Sequence, residues 1–165
     1  MGACTQIASC DPMPSTVTVK TTKPTWPKKA TIRVGCLGPD RYHPPEPGTK
    51  QKGGITIKGL FETHEFGLGN VPERSMIRAG FDELHEQIEA IALEQMQIDP
   101  LLGAERTAIK AAAMFRNRVA AGLQPDLADS TIKSKERRGI KAPYKPLIET
   151  GVLRSSIVGD AEVVL

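Results

Sequence analysis

From Ile77 onward the apolar residues fall at Ile77, Phe81, Leu84, Ile88 and Ile91, in steps of four, three, four and three. That is one stripe along an α-helix, with Glu83, Glu86, Glu89 and Glu94 left for its other faces. The pattern predicts a helix opened by Pro72 at its first position, with Glu73 in the first turn, and closing near Ile98. A second helix restarts at once. Asp99 is the expected N-cap and Pro100 the expected first residue, while Gly122 and Pro125 are stop signals. Its alanine run, Ala111 to Ala113, suits close packing against a neighbour. "DSTIKSKERRG" predicts a third helix, short and basic, ending at Gly139.

Elsewhere the period is two. "ATIRVGC", Ala30 to Cys36, sets Ile32 and Val34 against Thr31 and Arg33, and "GITIKGL", Gly54 to Leu60, repeats the alternation with Ile55 and Ile57. Both read as half-buried strands joined by a long Pro/Gly-rich hairpin loop, 38–53, which is either a loose tip or a projection that meets a neighbour. "STVTVKT", Ser15 to Thr21, alternates as an edge strand would. In "APYKPLIETGVLRSSIV", Pro143 and Pro146 hold the approach extended, and Thr150 can cap a turn whose first residue is Gly151. Leu147, Ile148, Leu153 and Ile157 should then dock this block onto the sheet expected at 31–36 and 54–60, with Ala161 to Leu165 as a terminal strand. The element order gives an α+β class: a small antiparallel sheet packed against two longer α-helices. The organisation expected is an extended N-terminal arm over 1–29, anchored by Trp26, and a single domain over 30–165.

Composition narrows the class of function. A chain of 165 residues that is 39% hydrophobic and 25% charged matches a soluble globular protein. No apolar run approaches the roughly 20 residues of a membrane-spanning helix. Cys4, Cys10 and Cys36 fit no zinc spacing and are expected to be free thiols. The charge is segregated: residues 1–60 carry a net +6, residues 61–105 a net −8 and residues 106–165 a net +5. Such blocks make complementary surfaces within a fold or between copies of it. A uniformly basic nucleic-acid binder would not hold so acidic a middle.

The stretch richest in chemical groups is "HEFGLGNVPERS", His64 to Ser75. A zinc-protease helix needs a second His at position 68, which is Leu68; a dinucleotide loop needs a third glycine where Pro72 stands. His85 with Glu89 has helical spacing but lies on the acidic face. No Gly-Lys-Ser/Thr loop and no Gly-x-Ser-x-Gly elbow occurs. No catalytic set, cofactor or metal is therefore expected. A structural reading uses every residue. Leu60, Phe61 and Phe66 bury a turn, and Gly67 and Gly69 let the chain reverse. Pro72 opens the helix, and Arg74 and Arg78 clamp Glu62 or Glu65 across the reversal. Glu65, Phe66, Gly67, Gly69, Pro72 and Arg74 then form a joint between sheet and long helix.

Here the chain resembles the neck proteins of tailed bacteriophages, the head–tail joining or tail-completion group. Members often carry Glu-Phe-Gly, a short Gly/Asn loop and Pro-x-Arg, matched by Glu65, Phe66, Gly67, Gly69, Asn70, Pro72 and Arg74. They also carry a Lys-Pro-Leu-Ile-Asp/Glu-Thr-Gly-x-Leu-Arg-x-Ser-Ile block, matched from Lys145 to Ile157, with "LADSTIKSKERRG" resembling its lead-in. After the Arg the family usually has Pro-Phe, where this chain has Ser75 and Met76. The resemblance spans about 30–165. It implies a structural virion protein without an active site. Such a protein forms a six- or twelve-fold ring of copies between portal-side adaptor or stopper proteins and the tail terminator or tube, with DNA passing through. Glu86 and Glu89 of one copy, facing Lys133, Lys135, Arg137 and Arg138 of the next, are candidate interface residues, as are Glu149 and Arg154. The alternative is a nucleic-acid-binding module that uses the basic segment Lys133 to Lys145 with Tyr144.

Overall fold

A computed structural model describes residues 26–42, 54–147 and 151–164. The chain forms β1 (Lys29–Gly35), α1 (Ile57–Phe66), α2 (Arg78–Ile98), α3 (Leu102–Ala121), α4 (Asp129–Arg137), α5 (Val152–Ser155) and β2 (Val158–Val164). Among the described residues there are five helices and a two-stranded antiparallel sheet, an α+β class. Pairing runs in register from Lys29 opposite Val164 to Gly35 opposite Val158.

The second strand expected at 54–60 is a helix instead. Thr56 is extended and its hydroxyl accepts the Gly59 N–H at 3.1 Å, which starts α1. Asp40 accepts from Lys58 N at 3.2 Å and the Arg41 carbonyl from Ile57 N at 2.7 Å, so two more of the first free donors are satisfied. The apolar residues that matter are Ile57, Leu60 and Phe61, at helical spacing, while Ile55 is left exposed. The strand that pairs with β1 is the C-terminal one. It begins three residues earlier than the expected Ala161. Of the hairpin expected across 38–53, the described residues show one bridge, Tyr42 to Thr56. Residues 43–53, the Ser15–Thr21 strand, Ile148, Glu149 and Thr150 lie outside the described residues. Trp26, expected to anchor the arm, is 56% exposed.

α3 is the axis of the fold, packed against α2 on one side and both strands on another. Its buried face is Gly103, Ala104, Thr107, Ala108, Ala111, Ala112, Phe115 and Val119, one broad helical stripe. Alanine over the first half lets backbones come close. At Gly159 of β2 an added Cβ would stand 2.0 Å from the Ala108 carbonyl oxygen, so only glycine fits there. α2 lies antiparallel to α3: Gly80 abuts the Phe115 ring and Gly103 abuts Gln95. The larger side chains gather toward the other end of α3. Phe61, Met76, Phe115, Val119, Leu123, Leu153 and Ile157 form one buried cluster, flanked by Val34, Ile57, Leu84 and Leu147.

The α3 cap needs only a small adjustment. The helix is assigned from Leu102, yet Asp99 Oδ1 accepts from Leu101 N and Leu102 N, each at 3.0 Å, so Asp99 does the capping. α2 differs more. It begins at Arg78, six residues after Pro72, and neither Pro72 nor Glu73 belongs to its first turn.

Candidate functional site

The joint between α1 and α2 contains the densest set of buried charged groups. α1 ends at Phe66 because Gly67 turns left-handed at φ 66°, and Gly69 follows at φ 67°. An added Cβ at Gly67 would lie 2.8 Å from the Glu73 nitrogen, so no other residue fits there without moving backbone. The chain then returns to α1. Arg74 N donates to the His64 carbonyl at 2.7 Å.

This return segment presents the first donors of α2 to Glu65. The carboxylate accepts from Met76 N at 2.6 Å, Ile77 N at 3.0 Å, Arg78 N at 2.9 Å and Ser75 Oγ at 2.7 Å. Ser75 Oγ in turn accepts from Ala79 N at 3.0 Å. Ile77, the N-cap position, has no side chain able to cap, and a glutamate twelve residues upstream supplies the function. A carboxylate set against the positive end of a helix is favoured by both hydrogen bonding and the helix dipole. Glu65 is only 4% exposed. Burial alone pushes its carboxyl group up, but the four hydrogen bonds outweigh burial and hold it below its ordinary value.

Two arginines complete the clamp. Arg74, also buried, donates from Nε to the Pro125 carbonyl at 2.8 Å and from Nη2 to the Asp126 carbonyl at 3.2 Å. It thereby ties the joint to the segment after α3, and it does not reach Glu62 or Glu65 as expected. Arg78 does reach Glu65: its Nε lies 3.5 Å from Oε1, its Nη2 donates to the Glu65 carbonyl and to Glu73, and its guanidinium covers the Phe66 ring at 4.9 Å. Phe66 is therefore an exposed platform for a cation and not the buried residue expected. Arg118 of α3, which the sequence did not mark, pairs with Glu83 through two contacts of 2.7 Å and donates to the Ser75 carbonyl at 2.8 Å. The joint links two helices, where sheet and helix were expected.

His64 stands beside this network with Nδ1 buried and without a partner. Burial first, and the nearby Arg74 charge second, lower its pKa from 6.5 to about 4, so the ring is neutral at pH 7. Among the described residues, no group of three or more His, Cys, Asp or Glu is arranged to hold a metal ion. The same residues include no helix long and apolar enough to cross a membrane.

The other candidate residues separate into two groups. Glu86 and Glu89 are exposed on α2, Lys133, Arg137 and Arg138 are exposed on or just after α4, and Arg154 is exposed on α5. The structure does not bring the two charge sets together within one chain. Lys135 is the exception: it is 5% exposed and donates to the Lys145 carbonyl at 3.0 Å. Lys145 Nζ donates to the Ala120 carbonyl at 2.7 Å. These two cations pin the C-terminal block to the end of α3. The basic run is thus partly internal.

A scan against protein-family models, a search of curated proteins and a search of solved structures each found no match.

Proposed function

We propose that this chain is a structural subunit of a tailed-bacteriophage neck, forming a ring with its own copies where head and tail join. The observation that carries this reading is the meeting of the two blocks that bear the resemblance. They are separated by α2, α3 and α4 in sequence, yet Phe61 and Met76, which flank the first, pack with Leu153 and Ile157 of the second around Phe115 and Val119. The neighbours of the first block and the apolar members of the second thus share one core, which supports a scaffolding role.

The surface supports the same reading. The tip between α2 and α3 exposes Ile98, Leu101 and Leu102, with Leu93 and Ile109 exposed nearby. Single exposed apolar residues are ordinary, whereas several at one tip suit contact with another subunit. The acidic face of α2 and the basic face of α4 give a ring opposite charges to match between neighbours. The nucleic-acid reading is weaker, because Lys135 and Lys145 are turned inward.

Negative-stain images of the purified full-length protein test the proposal. Closed rings are expected. Uniform single-chain particles at micromolar concentration would refute it.

A further inference from the structure

Where the end of β1 meets the start of α1 and α5, the surface opens into a cleft of about 260 Å³. Cys36, Pro39, Ile57, Val152 and Val158 make its wall apolar, and among the described residues Arg41 is its one charged lining residue. Ser155 and Ser156 also border it, but their hydroxyls donate to the Val152 and Leu153 carbonyls of their own turn, at 2.9 and 2.7 Å. Such a wall calls for an apolar occupant. A cavity of about 150 Å³ holds a benzene-sized molecule, so this cleft has room for one or two leucine side chains.

The chain carries a matching projection at the turn between α2 and α3, where Ile98, Leu101 and Leu102 are 65%, 43% and 47% exposed. The turn is firmly held: Asp99 Oδ1 caps α3, and Gly103 lies too close to Gln95 to carry a Cβ. Charge agrees with shape. On the segments that line the cleft, Arg41, Lys58 and Arg154 stand against Asp40, a net +2. Beside the turn, Glu94, Asp99 and Glu105 stand against Arg106, a net −2. A second groove, beside Glu73, Glu83 and Arg118, would instead set carboxylates against those of the turn.

We propose that the turn between α2 and α3 of one copy seats Leu101 and Leu102 in the cleft of the next copy. A head-to-tail contact needs two unlike surfaces on each chain, and it closes into a ring when the rotation allows. The occupant is a second copy because the chain cannot serve itself. Leu101 and Leu102 stand at the start of α3, and Val158 is fixed to the same helix through the contact of Gly159 with Ala108. No residue of the turn lines the cleft, and the stiff helix keeps the two apart. The inference rests on the ring reading and names the two surfaces that meet in it.

Disulfide capture in the full-length chain tests it, because Cys36 already lines the cleft. Leu101→Cys is added to a Cys4→Ser, Cys10→Ser background, with Leu102→Cys covering the other orientation of the turn. Mild oxidation should join successive copies into a ladder of multimers on a non-reducing gel. Cys36→Ser should abolish the ladder, and so should leaving Leu101 and Leu102 in place. Arg41→Glu with Arg154→Glu should lower the yield roughly 1.5- to 5-fold. The proposal is overturned by no ladder from either variant, by a ladder that survives Cys36→Ser, or by a chain that closes only on itself. A yield that ignores the two charge reversals overturns it as well. Sedimentation of the same samples before oxidation separates the two readings. An oligomer without the ladder removes this contact alone, and a monomer removes both.

Discussion

The α2–α3 hairpin has two unlike ends. At one, Met76, Phe115, Val119 and Leu123 are buried, Gly80 lies against the Phe115 ring, and Arg118 locks Glu83 and the Ser75 carbonyl. At the other, the helices still touch through Gly103 and Gln95, but Ile98 is 65% and Ile109 59% exposed. One end spends its apolar and charged groups inward. The other leaves its apolar groups on the surface. On the proposed ring the difference separates stability from assembly along one hairpin, so mutations at the two ends should fail in different ways.

The sharpest way to break the closed end is Glu65→Ala. It strands the buried N–H of Met76 and the partly buried N–H groups of Ile77 and Arg78, and an unmet buried donor costs about 1–3 kcal/mol. A total loss of about 3–5 kcal/mol is expected in urea unfolding followed by circular dichroism, and Glu65→Gln, which keeps an acceptor, should lose less. A change under about 1 kcal/mol would show that the carboxylate is not what starts α2.

Gly80→Ala should come next. Its Cβ would stand 2.5 Å from Phe115 Cε1, and overfilling a packed core costs about 1–3 kcal/mol. Wild-type stability in the same assay would mean that the ring moves aside freely.

Acid should loosen the closed end in a defined window. The folded chain holds His64 near pKa 4 against 6.5 when unfolded, so below pH 6.5 the unfolded state takes up the proton first and stability falls until about pH 4. Glu65, held below its ordinary value, contributes stability above that value and loses it as pH falls further, which is the same direction. His64→Gln should flatten the decline between pH 6.5 and 4. An unchanged slope would remove His64 from the account.

The open end should respond least. Ile98→Ser with Leu102→Ser changes exposed residues, so stability should stay within about 0.5 kcal/mol per site.

Much of this contrast could be read from the chain, and the reason lies in length. The α2, α3 and α4 patterns run long enough for a period of 3.6 to declare itself, and Gly122 and Gly139 follow the ends of α3 and α4. "GITIKGL" is too short for that. Two isoleucines two apart suit a strand, and Leu60 and Phe61 reveal the helical spacing only if the window extends past the expected end. Pro72 looked like a helix opener because the local rule ignores what lies across the turn. The acid that fixes the start of α2 is Glu65, brought back by Gly67 and Gly69, and no pattern near Arg78 announces it. Ser75 offered a partial signal, since a hydroxyl four residues before Ala79 can cap. Lys135 read as surface charge because nothing local shows that Lys145 folds over it.

In the proposed ring the open end packs between copies. Sedimentation velocity of the wild-type chain beside the Ile98→Ser, Leu102→Ser variant tests it most directly. A wild-type oligomer of ring mass, reduced to folded single chains by the two substitutions, is the predicted result. A variant that sediments with the wild-type oligomer, or a wild-type chain that is itself a monomer, would contradict it.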